Sequence, residues 1–242
     1  MENKPHLSIV IPAYKEEERI HVVLEAVERF ERHVEFSIET IVLIDGSPDR
    51  TDKSAQRFSD RISDLKIISR EENRGKGYTV REGILQAKGD YILFADADNS
   101  TPIEQVKKLL DVAESHEVVV GSRYSWDGKL ARPQPFYRIW GSRFLNLIIR
   151  ILAVPGIYDT QCGFKLFQHD AAIEIFKRTK FDRFSFDIEV LAIAKKLGYK
   201  IKEVGIIWYD NPHSTVNPIK DGFQMIKDSW QVRKNIIAGK YR

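Results

Sequence analysis

Cysteine is almost missing from these 242 residues. Cys162 stands alone, so no disulfide can form within the chain. That usage favours a reducing compartment. Long apolar runs are missing too: none approaches the ~18 uninterrupted residues of a membrane-spanning helix, and none is expected. The opening MENKPHLSIVIPAY is polar before its first apolar run, unlike a secretory leader. Charge of one sign is scarce, with 38 Lys and Arg against 35 Asp and Glu. Without an arginine-rich tract or zinc-knuckle spacing, nucleic acid is not an expected partner. The small positive excess suits phosphorylated ligands or an anionic membrane face. The six histidines lack metal-ligand spacing. Neither a G-x-x-x-x-G-K-[ST] loop nor a G-x-G-x-x-G fingerprint occurs.

What is present is alternation. LSIVIPAY (7–14), IETIVLID (38–45), LKIISR (65–70) and DYILFADAD (90–98) have the short, β-rich character of buried strands. Between them fall helical patterns, at 16–33 with Ile20, Val23, Leu24 and Val27 on one face and an acidic first turn, and at 75–89, closed by Gly89. Pro102 opens a further helix at its first turn. Strands alternating with helices predict an α/β fold with a mainly parallel sheet covered on both faces. The second half is less regular. Strands are expected at 117–124, 163–167 and 199–210, and helices at 138–156, at 185–198 and from Pro218 onward. No linker divides the chain, so 1–242 is expected to be a single domain with halves 1–121 and 122–242.

In parallel sheets ligands bind beyond the carboxyl ends of the strands. Three polar clusters fall there: Tyr14 to Glu16, Asp45 to Ser47, and Asp96 to Asp98. Asp96 and Asp98 are one residue apart, and two such carboxylates repel unless positive charge reaches them. One reading is a strand end whose second aspartate caps the next helix. The other is a hard dication, Mg²⁺ or Mn²⁺, completed by phosphate oxygens. The stretch ENRGKGYTVREG (72–83) is either a flexible turn or an anion site built from Arg74, Lys76 and a helix N-terminus. Cys162, with no histidine motif, fits a packed small hydrophobe better than a nucleophile.

The motifs IPAYKEEERI, IDGSPDRT, NRGKGYTVREGI and GDYILFADADNSTP, and above all DTQCGFKLF (159–167) followed by FSFDIEVL (184–191), resemble the family-2 glycosyltransferases of the GT-A fold. Within these the chain is most similar to the dolichyl-phosphate β-glucosyltransferase and polyprenyl-phosphate sugar synthase group, from about residue 7 to about residue 235. The resemblance implies roles. Pro12, Tyr14 and Glu16 would contact the nucleotide, Asp45 would lie near its base or ribose, and Lys76 and Asp96 would complete that site. Asp96 and Asp98 would hold the metal, and Arg123 would approach the phosphates. Asp187 and Glu189 would lie near the sugar or the acceptor phosphate. The chain departs from the family pattern at Lys15 (usually Asn), at Ile44 (usually Asp) and at His213-Ser214-Thr215 (often Gly-Ser-Lys).

The implied activity is inverting, metal-dependent transfer of a hexose from a nucleotide sugar, UDP-linked in first place, to a polyprenyl or dolichyl phosphate. A phosphate monoester, with a second pKa of about 6, attacks as an anion and needs no strong base. An alcohol acceptor would need one, and Asp187 or Glu189 would serve. A glycan or other hydroxyl acceptor, or a non-catalytic nucleotide-sugar-binding protein, are the alternatives. Segment 138–156 bears on the acceptor. Trp140, Phe144, Leu147, Ile148 and Ile151 share one helical face, and Arg143 and Arg150 lie a heptad apart with Arg138 close by. Either this is a core helix with a snorkelling rim, or its 138–153 portion is an interfacial helix whose Arg138 and Arg143 meet lipid phosphates. The resemblance favours the second, and with it a peripheral protein at the cytoplasmic face of a membrane.

Overall fold

In the computed structural model, residues 4–125, 128–130, 146–209 and 218–241 are described. The elements run β1 (Leu7–Ala13), α1 (Ile20–Glu31), β2 (Ile38–Asp45), α2 (Thr51–Gln56), β3 (Leu65–Arg70), α3 (Lys76–Gln86), β4 (Tyr91–Ala95), a 3-10 turn (Ile103–Gln105), α4 (Val106–Ala113), β5 (Val118–Ser122), β6 (Lys129–Leu130), α5 (described over 146–152), β7 (Phe164–Gln168), α6 (His169–Phe176), α7 (Phe186–Leu197), β8 (Ile201–Gly205), β9 (Ile207–Trp208) and α8 (Pro218–Ile237).

Seven strands form one sheet in the order β3-β2-β1-β4-β7-β5-β8, to which both halves of the chain contribute. All run parallel except β7, which lies antiparallel between β4 and β5. β1 and β2 are buried at every position, the polar Ser8, Glu39, Thr40 and Asp45 included, whereas the edge strands β3 and β8 are partly exposed. The helices pack in two groups. α1, α2 and α4 (with the 3-10 turn) cover one face of the sheet, α3, α6 and α7 cover the other, and α8 packs on α7. α7 ends at Gly198 in the left-handed region, a conformation that costs glycine little.

Four expectations need correction. The helix expected over 16–33 begins only at Ile20, so Glu16 to Glu18 precede it and no acidic residue occupies its first turn. The cause is local. The backbone N–H groups of Lys15, Glu16 and Glu17 donate to Ser47 Oγ (2.8 Å), Thr51 Oγ1 (2.9 Å) and Asp49 Oδ2 (3.2 Å), which holds the segment out of helical register. The strand expected to reach Asp98 stops at Ala95, and Asp96 begins a turn. Pro102 is extended (ψ 135) and sits just outside the 3-10 turn rather than inside a helix. The single strand expected over 199–210 is two, because Ile206 breaks from β8 to donate to Ser122 O and β9 pairs with β6 instead.

Candidate active site

Strand order reverses between β1 and β4, since the chain winds outward through β2 and β3 before returning to the other side of β1. Ligand crevices form at such reversals. Here the ladder itself opens: β1 pairs with β2 as far as Ala13–Ile44 but with β4 only as far as Val10–Phe94. Pro12, which has no N–H to give a neighbour, sits in the opened stretch. Tyr14 and Glu16 follow β1, and Asp96 and Asp98 follow β4, so the split lies between them.

Asp96 is fixed by two elements. Its N–H donates to Gly163 O at 3.0 Å, just before β7, and its Oδ1 lies 2.7 Å from Lys76 Nζ, the first residue of α3. Gly163 has to be glycine, because a Cβ there would stand 1.9 Å from Asp96 Oδ2. Asp98 Oδ1 accepts from Ser100 N at 2.9 Å, and Asn99 between them is left-handed (φ 51). Burial raises the Asp96 pKa, and Asp98 raises it further against the pull of Lys76. Burial pushes Glu16 up to about 7; Arg19, donating at 2.9 Å, opposes this, while Asp98 and Asp96 add to it. Burial alone would lower the Lys76 pKa, but Asp96, Asp187 and Asp98 outweigh it and hold the ammonium above its ordinary value. The three acids therefore press on one another through a partly dry crevice.

Behind Lys76 the charges continue to alternate. Asp187, in the first turn of α7, is ion-paired with the buried Lys165 of β7, whose Nζ also donates to Cys162 O at 2.6 Å. Lys165 is a residue sequence reasoning missed. Its signal was a lone lysine in the otherwise apolar run GFKLF. Asp187 and Glu189, expected together, are separated. On a helix, positions two apart point about 200° away from each other. Glu189 turns into the interior, where it accepts from Lys180 N (2.8 Å), Phe181 N (2.9 Å) and Tyr241 Oη (2.7 Å). It braces the loop against which α3 begins: a Cβ at Gly77 would meet Phe181 O at 2.5 Å.

Asp45 is likewise spoken for by the chain. Its oxygens accept from Arg74 N (2.9 Å) and Gly75 N (2.8 Å), with Arg70 at 3.2 Å, so it fixes the loop that delivers Lys76. Arg74 of the expected anion site stacks on Tyr78 at 3.6 Å instead. Arg123, beyond the end of β5, is gripped bidentately by the buried Asp159 (2.8 and 2.6 Å) and faces the Trp208 ring at 5.3 Å. Asp159, also missed, is held in turn by Glu203, which accepts from its N–H at 2.8 Å. Cys162 lies buried amid Asp159, Arg123, Lys165 and Asp96, and burial pushes its thiol up to about 12, so it stays a neutral packing residue. Ile44 is buried in the core. Arg138, Arg143 and His213 to Thr215 lie outside the described residues.

Among the described residues no three acidic, histidine or cysteine side chains converge as a ready-made metal cage. A hard dication bound with a diphosphate does not need one, because one or two carboxylates suffice when phosphate oxygens complete the shell. Asp96 and Asp98 fit that pattern; besides burial, their charges help to lift Glu16, and a cation would relieve that part of the lift.

The family profile described as Glycosyl transferase family 2 matches residues 8–176. The chain belongs to that family. It is 33% identical to the dolichyl-phosphate β-glucosyltransferase of Dictyostelium discoideum over 97% of this chain and 76% of that one, and 34% identical to the Mus musculus protein of the same name over 98% and 77%. Among solved structures, it resembles glucosyl-3-phosphoglycerate synthase from Mycobacterium tuberculosis in complex with UDP (TM-score 0.68, 20% identity, 95% of this chain and 80% of that one). The same synthase has been solved with Mn²⁺, UDP and glucosyl-3-phosphoglycerate (TM-score 0.67, 19% identity, 98% and 80%). The fold of this family-2 glycosyltransferase is thus GT-A, with an antiparallel strand set into a mainly parallel sheet.

Proposed function

We propose that this glycosyltransferase moves glucose from a nucleoside-diphosphate sugar, UDP-glucose in first place, to a polyprenyl or dolichyl phosphate, with inversion and with Mg²⁺ or Mn²⁺ as cofactor. The observation that carries the acceptor is similarity along nearly the whole chain to dolichyl-phosphate β-glucosyltransferases. The donor and the metal rest on the crevice chemistry and on the Mn²⁺ and UDP in the structural relative.

Tyr14, Glu16 and the opened end of β1 with Pro12 would receive the nucleotide. Asp96 and Asp98 would hold the dication, which when bound offsets charge on the departing diphosphate. Lys76, already an ammonium beside Asp96, would meet the same oxygens at the N-terminus of α3, where helix polarity favours anions. Asp45 would act from behind, through the loop it pins. Arg123 would reach phosphate only by sharing itself with Asp159. A specific observation favours a phosphate acceptor over an alcohol. Asp187 is ion-paired with the buried Lys165, so an incoming alcohol would have to compete with that ammonium for the carboxylate. An acceptor phosphate brings its own negative charge and asks for none. Its chemistry would place the enzyme at a membrane, on the cytoplasmic face.

The test is incubation of labelled nucleotide sugars with polyprenyl phosphate. UDP-glucose should give an organic-extractable product only when a dication is present, and Asp98→Asn should lower kcat/KM by about 10²–10³-fold. No extractable label from any nucleotide sugar, or an undiminished Asp98→Asn enzyme, would overturn it.

A further inference from the structure

The last helix carries two faces. Gly222, Met225, Ser229, Val232 and Asn235 are buried, at helical spacing, where α8 packs on α7. Elsewhere on α8 Phe223, Lys227, Trp230, Lys234 and Ile237 succeed one another at steps of four, three, four and three, which aligns them along one stripe. The apolar members are strongly exposed: Phe223 at 73%, Trp230 at 50% and Ile237 at 78%. A second apolar ladder lies beside this one. In α5, Asn146 and Ile149 are buried, while Leu147 (46%) and Ile151 (65%) face outward. Arg233 joins the two helices, its Nη1 donating to Ile151 O and Leu152 O at 3.4 Å. The outward stripe expected in segment 138–156 is therefore, over its described part, continued by α8. Aligned exposed rings and aliphatics of this kind mark an interaction surface.

Charge decides the partner. The exposed charged residues of the stretch 223–241 are Lys227, Arg233, Lys234 and Lys240, all basic. Asp228 is only partly exposed and bonds Ser185 Oγ (2.5 Å) and Gln224 Nε2 (2.8 Å). A second copy docked by two-fold symmetry would set this basic stripe against the same basic stripe, whereas an anionic lipid surface complements it. Alternating aromatic and basic residues suit the depth of the headgroups.

We propose that Leu147 and Ile151 of α5, with Phe223, Trp230 and Ile237 of α8, rest in the headgroup layer of an anionic membrane, where Lys227 and Lys234 meet the lipid phosphates. This deepens the lipid-acceptor reading. Asp228 accepts from Ser185 Oγ, two residues before Asp187, which links the docked helix to the crevice wall. The docking itself can be measured with no acceptor present.

The experiment sediments the full chain with vesicles of phosphatidylcholine alone or mixed with phosphatidylglycerol, without polyprenyl phosphate or nucleotide sugar. The chain should sediment with the mixed vesicles, and its tryptophan emission should shift to the blue, a shift lost in Trp230→Phe. Lys227→Glu/Lys234→Glu should weaken binding at least about tenfold, each lysine being worth about fivefold at such a surface. Phe223→Ser/Ile237→Ser should do the same. Both variants should keep the wild-type circular dichroism and wild-type transfer to a short-chain, water-soluble phosphate acceptor. Equal sedimentation with neutral and anionic vesicles would overturn the proposal. So would a dimer in sedimentation velocity that Phe223→Ser/Ile237→Ser converts to monomer without changing vesicle binding. Vesicle binding without any lipid-linked product would instead remove the proposed acceptor and leave the surface standing.

Discussion

The two ends of the sheet are built from the same materials and put them to different use. Where the strands begin, Glu39 is fully buried and accepts from Ser8 Oγ (2.5 Å), Lys88 N (2.9 Å) and Lys66 Nζ, while Ser8 Oγ itself accepts from Gly89 N (2.8 Å). Burial opposes the charge of Glu39, yet Lys66, Ser8 and Lys88 outweigh burial and keep its pKa below the usual value. Where the strands finish, Glu16, Asp96, Asp98 and Asp187 face Arg19, Lys76 and Lys165, and burial together with mutual repulsion wins at Glu16. An acid whose lone pairs are filled by its own chain holds the fold together. Acids that crowd one another leave a demand for positive charge that the chain does not fully supply.

The largest effect should come from removing one cation at each end. Lys165→Met strands the buried charge of Asp187, and unfolding free energy in urea should fall by about 3–5 kcal/mol. Adding Asp187→Leu should restore most of it, because a buried pair replaced by apolar groups is nearly neutral, while kcat/KM stays depressed by about 10²-fold. At the opposite end Lys66→Met should cost only about 1–2 kcal/mol, since Lys66 is partly solvated and Glu39 keeps its other donors, and kcat/KM should not change. If Lys66→Met depressed turnover as deeply as Lys165→Met, the division between the ends would fail.

A smaller contrast is one of sign. Glu39, with its folded pKa below 4.5, adds stability that is present above pH 4.5 and lost as pH falls through the folded value. Glu16, raised from 4.5 to about 7, does the reverse: its contribution is full below pH 4.5 and is lost as pH climbs to about 7, a decline of at most about 3 kcal/mol. Denaturant titrations of the metal-free protein across pH should show both slopes. Glu16→Gln should remove only the decline toward neutrality, and Glu39→Gln only the loss in acid. If Glu16→Gln left the neutral slope in place, the crevice acids would not be coupled as described.

Most of the open end was legible in sequence. Apolar runs that stop abruptly at Tyr14, Asp45 and Asp96 signal strand ends, and the parallel order required by alternating helices puts them on one rim. The brace behind it was not, because it depends on β7 inserting antiparallel between β4 and β5, a pairing between segments some 70 residues apart for which no local pattern exists. That insertion brings Gly163 against Asp96 and Lys165 against Asp187. The separation of Asp187 from Glu189, by contrast, follows from the helical period of 185–198 itself. The roles of Asp45 and Glu189 as backbone anchors could not be read, since a carboxylate that will accept N–H bonds looks the same in sequence as one awaiting a ligand.

Backbone strain divides the ends as charge does. Among the described residues the non-glycine positions with positive φ are Lys15 (φ 58) and Asn99 (φ 51), and each follows a crevice strand. Asn99 is of the type that tolerates this region, but Lys15 stands where family resemblance places Asn. An ordinary L-residue pays about 1–2 kcal/mol for the left-handed conformation, and Asn pays less. Lys15→Asn should therefore stabilise the protein by about 0.5–1 kcal/mol in urea unfolding, the Lys15 N–H bond to Ser47 Oγ being kept. Lys15→Gly should gain too, whereas Lys15→Met, which removes the charge but keeps the Cβ, should gain nothing. A gain from Met equal to that from Asn would trace the cost to the ammonium, whose Nζ lies 5.4 Å from the Tyr14 ring, and not to the backbone. The strain would then no longer distinguish the open end from the closed one.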